Sequence, residues 1–85
     1  MQEFEYTIKD EMGLHARPVG MLVKKAASYK SRISIVKGGK RAEADKLFAI
    51  LGLAVKSGET IKVIVEGNDE VEAVRDFSRF CEENF

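Results

Sequence analysis

The chain has 85 residues, 45% of them hydrophobic and 33% charged, with a net charge of zero. That length and balance describe one globular domain over residues 1–85, with a thin but adequate core. No apolar run approaches the roughly 20 residues of a membrane span, and one cysteine beside one histidine excludes an internal disulfide and a Cys/His metal site.

The start, MQEFEYTIKDEMG, lacks the basic-then-apolar order of a secretory leader. A cytoplasmic protein is expected, with no direct membrane insertion and no cofactor or metal. The zero net charge hides an asymmetry. Residues 1–41 carry nine Lys/Arg against four Asp/Glu, and residues 42–85 carry five against ten. Either the two halves interleave and neutralise each other, or a local basic face serves an acidic partner.

Phe4, Tyr6 and Ile8 alternate with polar residues, the period of a half-buried strand. Gly13 breaks that pattern. From Ala16 to about Ser28 the period changes, and Val19, Leu22, Val23 and Ala26 mark one helical face. Ile33 and Ile35 alternate with Arg32, Ser34 and Lys37 as a second strand, KGGK at 37–40 is a tight turn, and residues 41–44 fold back as a third. Asp45 is read as the N-cap of a short helix reaching about Val55. Thr60 to Glu66 turns Ile61, Val63 and Val65 inward as a fourth strand. After Gly67-Asn68-Asp69 a last helix begins, Asp69 and Glu72 having capping-box spacing. Val74, Phe77 and Cys81 share one face of it, with Ala73 and Phe80 beside them, and Cys81 is read as a small buried hydrophobe. The order is β-α-β-β-α-β-α, an α+β architecture with an antiparallel sheet covered by helices on one face.

Residues 13–20, GLHARPVG, contain the only histidine and the only proline. Pro18 falls in the first turn of a helix, where N–H groups have no intrahelical partner. His15 therefore sits at the helix N-terminus, where free N–H groups and the positive dipole end suit an anion. A neutral imidazole nitrogen is a nucleophile, and the Arg17 guanidinium matches phosphate oxygens. Together these residues can carry a phosphoryl group on nitrogen. From the residues alone, a histidine at a helix start is more often a simple cap or surface group. No second acid/base partner for His15 is visible close in sequence.

The segment 47–55, LFAILGLAV, has no polar side chain around its circumference. A short helix buries one stripe, so Ile50, Leu53 and Ala54 are expected inward, leaving Leu47, Phe48 and Leu51 outside as a docking surface. Lys24 and Lys25 could steer an acidic partner toward it.

GLHARPVG, placed at this distance from the N-terminus and followed by an amphipathic helix, resembles the signature of the HPr family. These are the histidine phosphocarriers of the bacterial phosphoenolpyruvate-dependent sugar phosphotransferase system. The resemblance extends over the GG turn, the LF pair at Leu47-Phe48, the Glu66-Gly67 exit and the acidic last helix. It implies an open-faced β-sandwich, a four-stranded antiparallel sheet with three helices on one face. It also implies that His15 accepts the phosphoryl group on Nδ1, with Arg17 as phosphate-supporting residue. Phospho-enzyme I would be the donor and a histidine of an enzyme IIA the acceptor. The docking surface implied is Gly20, Met21, Lys24, Leu47, Phe48 and Leu51. Many Gram-positive members carry a regulatory serine where this chain has Lys46, so serine-kinase control is not expected.

A regulatory or nitrogen-related phosphotransferase paralogue would keep the same residues and act mainly by binding protein partners. A nucleic-acid-binding module is disfavoured, because the basic residues are scattered and no aromatic stacking platform is present. The expected state is a monomer.

Overall fold

A computed structural model describes residues 1–85 as β1 (Gln2–Thr7), α1 (Ala16–Ala27), β2 (Arg32–Lys37), β3 (Lys40–Glu43), α2 (Leu47–Leu51), β4 (Thr60–Glu66) and α3 (Glu70–Asn84). The strands form one antiparallel sheet in the order β1-β4-β2-β3. Phe4, Val63, Ile35 and Ala42 lie in register across all four strands, so one apolar row crosses the sheet beneath the helices. The row Glu5, Lys62, Val36 and Arg41 crosses the opposite, open face. Because side chains alternate along a strand, this register settles which set meets the helices.

The core joins Ile33, Ile35, Ile61, Val63 and Val65 of the sheet to Val19, Leu22 and Ala26 of α1 and Ala73, Phe77 and Cys81 of α3. Burial pushes the Cys81 thiol up to about 12, so it stays protonated and inert among these apolar neighbours. The edge strands carry Glu3, Glu5, Lys40 and Arg41, charges that discourage pairing with another sheet. The two oppositely charged halves do interleave: Arg32 pairs with Glu43 at 3.2 Å and Lys37 with Glu59 at 3.1 Å.

Several local expectations are corrected. The third strand spans Lys40–Glu43 rather than 41–44. Ser34, expected outward among polar residues, is 1% exposed; its hydroxyl accepts a bond from Arg41 Nη2 at 3.0 Å, which satisfies the buried oxygen.

The helix of residues 47–51 is capped by Lys46, not Asp45, and stops far short of Val55. At its start, the Ala44 N–H is already committed to the Ile33 carbonyl and the Lys46 N–H to Glu43. At its end, Leu53 and Val55 are both buried while Ala54 between them is exposed. Two inward positions two residues apart cannot both be met by a continued helix, which would set them about 200° apart. Ala54, expected inward, instead takes φ of 52° and turns out to solvent.

The capping box of α3 is not formed. Asp69 occupies the N-cap position without a side-chain cap bond. Its carboxylate reaches back to the Ser31 hydroxyl and to the main-chain N–H groups of Lys30 and Ser31, both at 2.9 Å. Glu70, not Glu72, returns to the loop, accepting the Gly67 N–H at 3.1 Å. Gly67 has φ of 149°, and a Cβ there would press on Ser31. The entry to α3 is thus fastened to the loop between α1 and β2.

Candidate functional site

The site grows out of the loop joining β1 to α1. After Thr7 the chain leaves the sheet, and the N–H groups of Lys9 and Asp10 both donate to the Phe85 main-chain oxygen, at 2.6 and 2.8 Å. Residues 10–13 form a turn closed by the Gly13 N–H on the Asp10 carbonyl at 2.9 Å. The Asp10 side chain reinforces it, Oδ1 accepting the Met12 N–H at 2.9 Å, an Asx arrangement. Gly13 has φ of 66°, and a Cβ there would collide with the Val55 carbonyl, so only glycine fits both the angle and the close approach. Leu14 is buried and donates its N–H to that same carbonyl.

This places His15 as the N-cap of α1, in extended backbone with φ of −115°. Its carbonyl accepts the first helical bond, from Val19 at 3.1 Å. Its side chain caps nothing, and the N–H groups of Ala16 and Arg17 have no partner within the chain. Pro18, buried in the same turn, removes a donor that would otherwise be unpaired. The ring, 28% exposed, reaches Asp10 from Nε2 to Oδ2 at 3.3 Å. Nδ1 takes part in no hydrogen bond.

Arg17 is exposed and makes no ion pair or side-chain hydrogen bond, which leaves its guanidinium available to an anion. The single cavity of the molecule, about 340 Å³, lies at the other end of α1 beside Tyr29, Arg32 and Glu43. His15 does not line that cavity and lies instead on the partly exposed surface at the start of α1. No three His, Cys, Asp or Glu side chains gather as a metal cluster.

α1 packs on α2, and of the α2 residues expected outside only Phe48 is fully exposed. Phe48 is 83% exposed and Met21 is exposed. Leu47 and Leu51 are half-buried, their inner sides resting on the core. Gly20 is half-buried with open space over it, and Lys24 is exposed. Lys25 is drawn away to Tyr29, its Nζ 5.9 Å from the ring centre. Lys46 pairs with Asp45 at 3.7 Å.

Two residues of this surface are missed in the sequence. Asp10 is the acidic partner of His15 that the spacing conceals, because five residues separate them until the 10–13 turn folds back. The local signal is an aspartate three residues before a glycine, the pattern of an Asx turn. Met12, 71% exposed, lies within that turn and is a second large apolar side chain open to solvent near His15 in sequence.

The profile of the family described as "PTS HPr component phosphorylation site" matches residues 2–83. The HPr-like protein Crh of Halalkalibacterium halodurans is 40% identical over 82 residues, 96% of this chain and 98% of its own. Among solved structures, the histidine-containing phosphocarrier protein of Mycoplasma aligns with a TM-score of 0.93 at 29% identity, covering 96% of this chain and 93% of that one. Crh of Bacillus subtilis aligns with a TM-score of 0.78 at 28% identity, covering 99% and 97%, and is described as a dimer formed by a swapped domain. A relative of this fold that dimerises does not fit the expectation that such a chain is a monomer.

Proposed function

The chain belongs to the HPr family of phosphocarrier proteins, and from that premise we propose that it accepts a phosphoryl group on His15 from phospho-enzyme I and passes it to a histidine of a sugar-specific enzyme IIA. The observation that carries this reading is the state of the His15 ring. One nitrogen is occupied by Asp10 and the other, Nδ1, is unbonded at the open N-terminal end of a helix. Arg17 and the free N–H groups of the first turn stand beside it as donors for phosphate oxygens.

Transfer by this route needs no metal. Nδ1 attacks phosphorus, the donor's bond to phosphorus breaks, and the phosphoryl oxygens meet positive groups already in place. The protein is a carrier and completes no cycle without its partners. It works in the cytoplasm, and no helix is long and apolar enough to cross a membrane. Gly20, Met21, Lys24, Leu47, Phe48 and Leu51 form the surface on which both partners dock, an apolar patch edged by a cation. Lys46 offers no hydroxyl, so serine-kinase control does not operate at that position.

A second reading is favoured by the 40% identity to an HPr-like protein. On that reading the chain is a regulatory or nitrogen-related phosphotransferase paralogue that acts mainly by binding protein partners. Labelling with phosphoenolpyruvate and enzyme I separates the two. An acid-labile, base-stable label on the wild type, absent from His15→Ala, supports the carrier. No label with a competent enzyme I overturns it in favour of the paralogue.

A further inference from the structure

His15 makes one side-chain hydrogen bond, to Asp10. The main-chain bond to Met12 first, and the contact with His15 after it, hold the Asp10 carboxyl below the usual aspartate range, so it is ionised at neutral pH. An ionised carboxylate only accepts, so Nε2 is the donor, and a neutral ring with its proton there carries its lone pair on Nδ1. The carboxylate is set in place before any donor protein arrives. Met12 holds Oδ1, Gly13 closes the turn onto the Asp10 carbonyl, and Phe85 accepts the Asp10 N–H.

We propose that Asp10 is a positioning residue for phosphoryl transfer, which holds His15 with Nδ1 as the free nitrogen and balances the charge the ring acquires when Nδ1 is phosphorylated. The proposal rests on the carrier reading. In the forward step the Nδ1 lone pair forms the N–P bond while the donor's bond to phosphorus breaks and leaves its electron pair on the donor. Nε2 keeps its proton, so the ring becomes cationic with a carboxylate beside it. In the next step the acceptor attacks phosphorus, the N–P pair returns to Nδ1, and the ring is neutral again. Nothing else is consumed.

A carrier must not hold its cargo too firmly. The Asp10–His15 contact is long, 3.3 Å, and both side chains remain about one-third exposed or a little less, at 31% and 28%. Solvent therefore screens the pair, and its effect is an adjustment of rate rather than a trap. Arg17 is free to follow the phosphoryl oxygens, while Asp10 acts on the opposite ring nitrogen, so the two residues do different work on one imidazole.

The test combines ¹⁵N spectra of the His15 ring with phosphorylation kinetics, using phosphoenolpyruvate and enzyme I, on wild type, Asp10→Ala, Asp10→Asn and Asp10→Glu. With the ring neutral, the wild type is expected to show its proton on Nε2, protected from exchange with water. Asp10→Ala should lose that protection and gain the other tautomer. Phosphorylation kcat should fall by up to about fivefold in Asp10→Ala, the scale of a solvent-screened ion pair, with KM for the protein unchanged. Asp10→Asn keeps an oxygen for Met12, so a loss of rate in that variant reports the charge and not the turn; Asp10→Glu should recover part of it. A wild-type proton on Nδ1, or wild-type rates in both Asp10→Ala and Asp10→Asn, overturns the proposal. If the ring spectra respond as expected but the wild type takes no phosphoryl group, the carrier reading fails and the transfer role of Asp10 falls with it, while the contact itself stands.

Discussion

Leu14 donates its main-chain N–H to the carbonyl oxygen of Val55 at 3.0 Å, and that single bond fastens the loop before His15 to the loop after α2. It links the histidine of the proposed cycle to the segment that follows the short apolar helix α2. Gly13 is the residue that allows the approach, since any Cβ there meets the same carbonyl.

Gly13→Ala combines a left-handed backbone angle with that collision. The strain costs about 1–3 kcal/mol and the crowding about as much again, so a loss of roughly 2–6 kcal/mol is expected. Urea denaturation measures it. A loss under about 0.5 kcal/mol would show that the 10–14 loop moves freely off Val55.

Ala54 is the one non-glycine residue in the left-handed region, with φ of 52°. It is exposed, and its carbonyl accepts from Lys37 Nζ at 3.2 Å, which helps to hold the turn. Glycine relieves the left-handed cost of about 1–2 kcal/mol and gives back part of it in unfolded-chain entropy. Ala54→Gly should therefore raise stability by about 0.5 kcal/mol, read as a small upward shift of the thermal midpoint. A downward shift would contradict the assigned conformation.

Phe48 and Ile50 lie two residues apart on α2 at opposite extremes of exposure, 83% and 0%. Phe48→Ala should leave stability within about 0.5 kcal/mol and weaken binding to enzyme I and enzyme IIA, seen as a rise in KM. Ile50→Ala should cost about 2–5 kcal/mol through the cavity it leaves. If Phe48→Ala unfolds the domain instead, the outward patch is not a docking surface.

Asp69 ties α3 to the loop between α1 and β2. Bonds from the Ser31 hydroxyl, then from the Lys30 N–H, hold its carboxyl below the ordinary 3.8. The folded value lies below the unfolded one, so the unfolded chain takes up the proton first. The stabilisation is complete above pH 3.8 and fades as pH falls through the lower, folded value. Asp69→Asn should be less stable than wild type at neutral pH, and the gap should narrow in acid. A gap of constant size across that range would assign the tether to geometry alone.

Much of this protein is legible from local pattern. The alternation in β1 and β4, the helical period of α1 and the GLHARPVG string each depend on residues close together in the chain, because each reflects one buried face or one helix start. His15, Arg17 and the exposed Phe48 follow from that level. What the pattern could not decide is which polar groups meet across the fold. Ser34 is buried because Arg41 of the neighbouring strand satisfies it, and Asp69 abandons its own helix because Lys30 and Ser31 offer three donors. The helix at 47–51 stops early because Leu53 and Val55 must both face inward. Asp10 is a spacing away from His15 that reads as loop; it becomes its partner only because Phe85 and Val55, far along the chain, pin the turn between them. Periodicity records how often a residue faces the core, which is a local property. Hydrogen-bond partners are chosen by sheet order and loop packing, which exist only once the whole chain has folded.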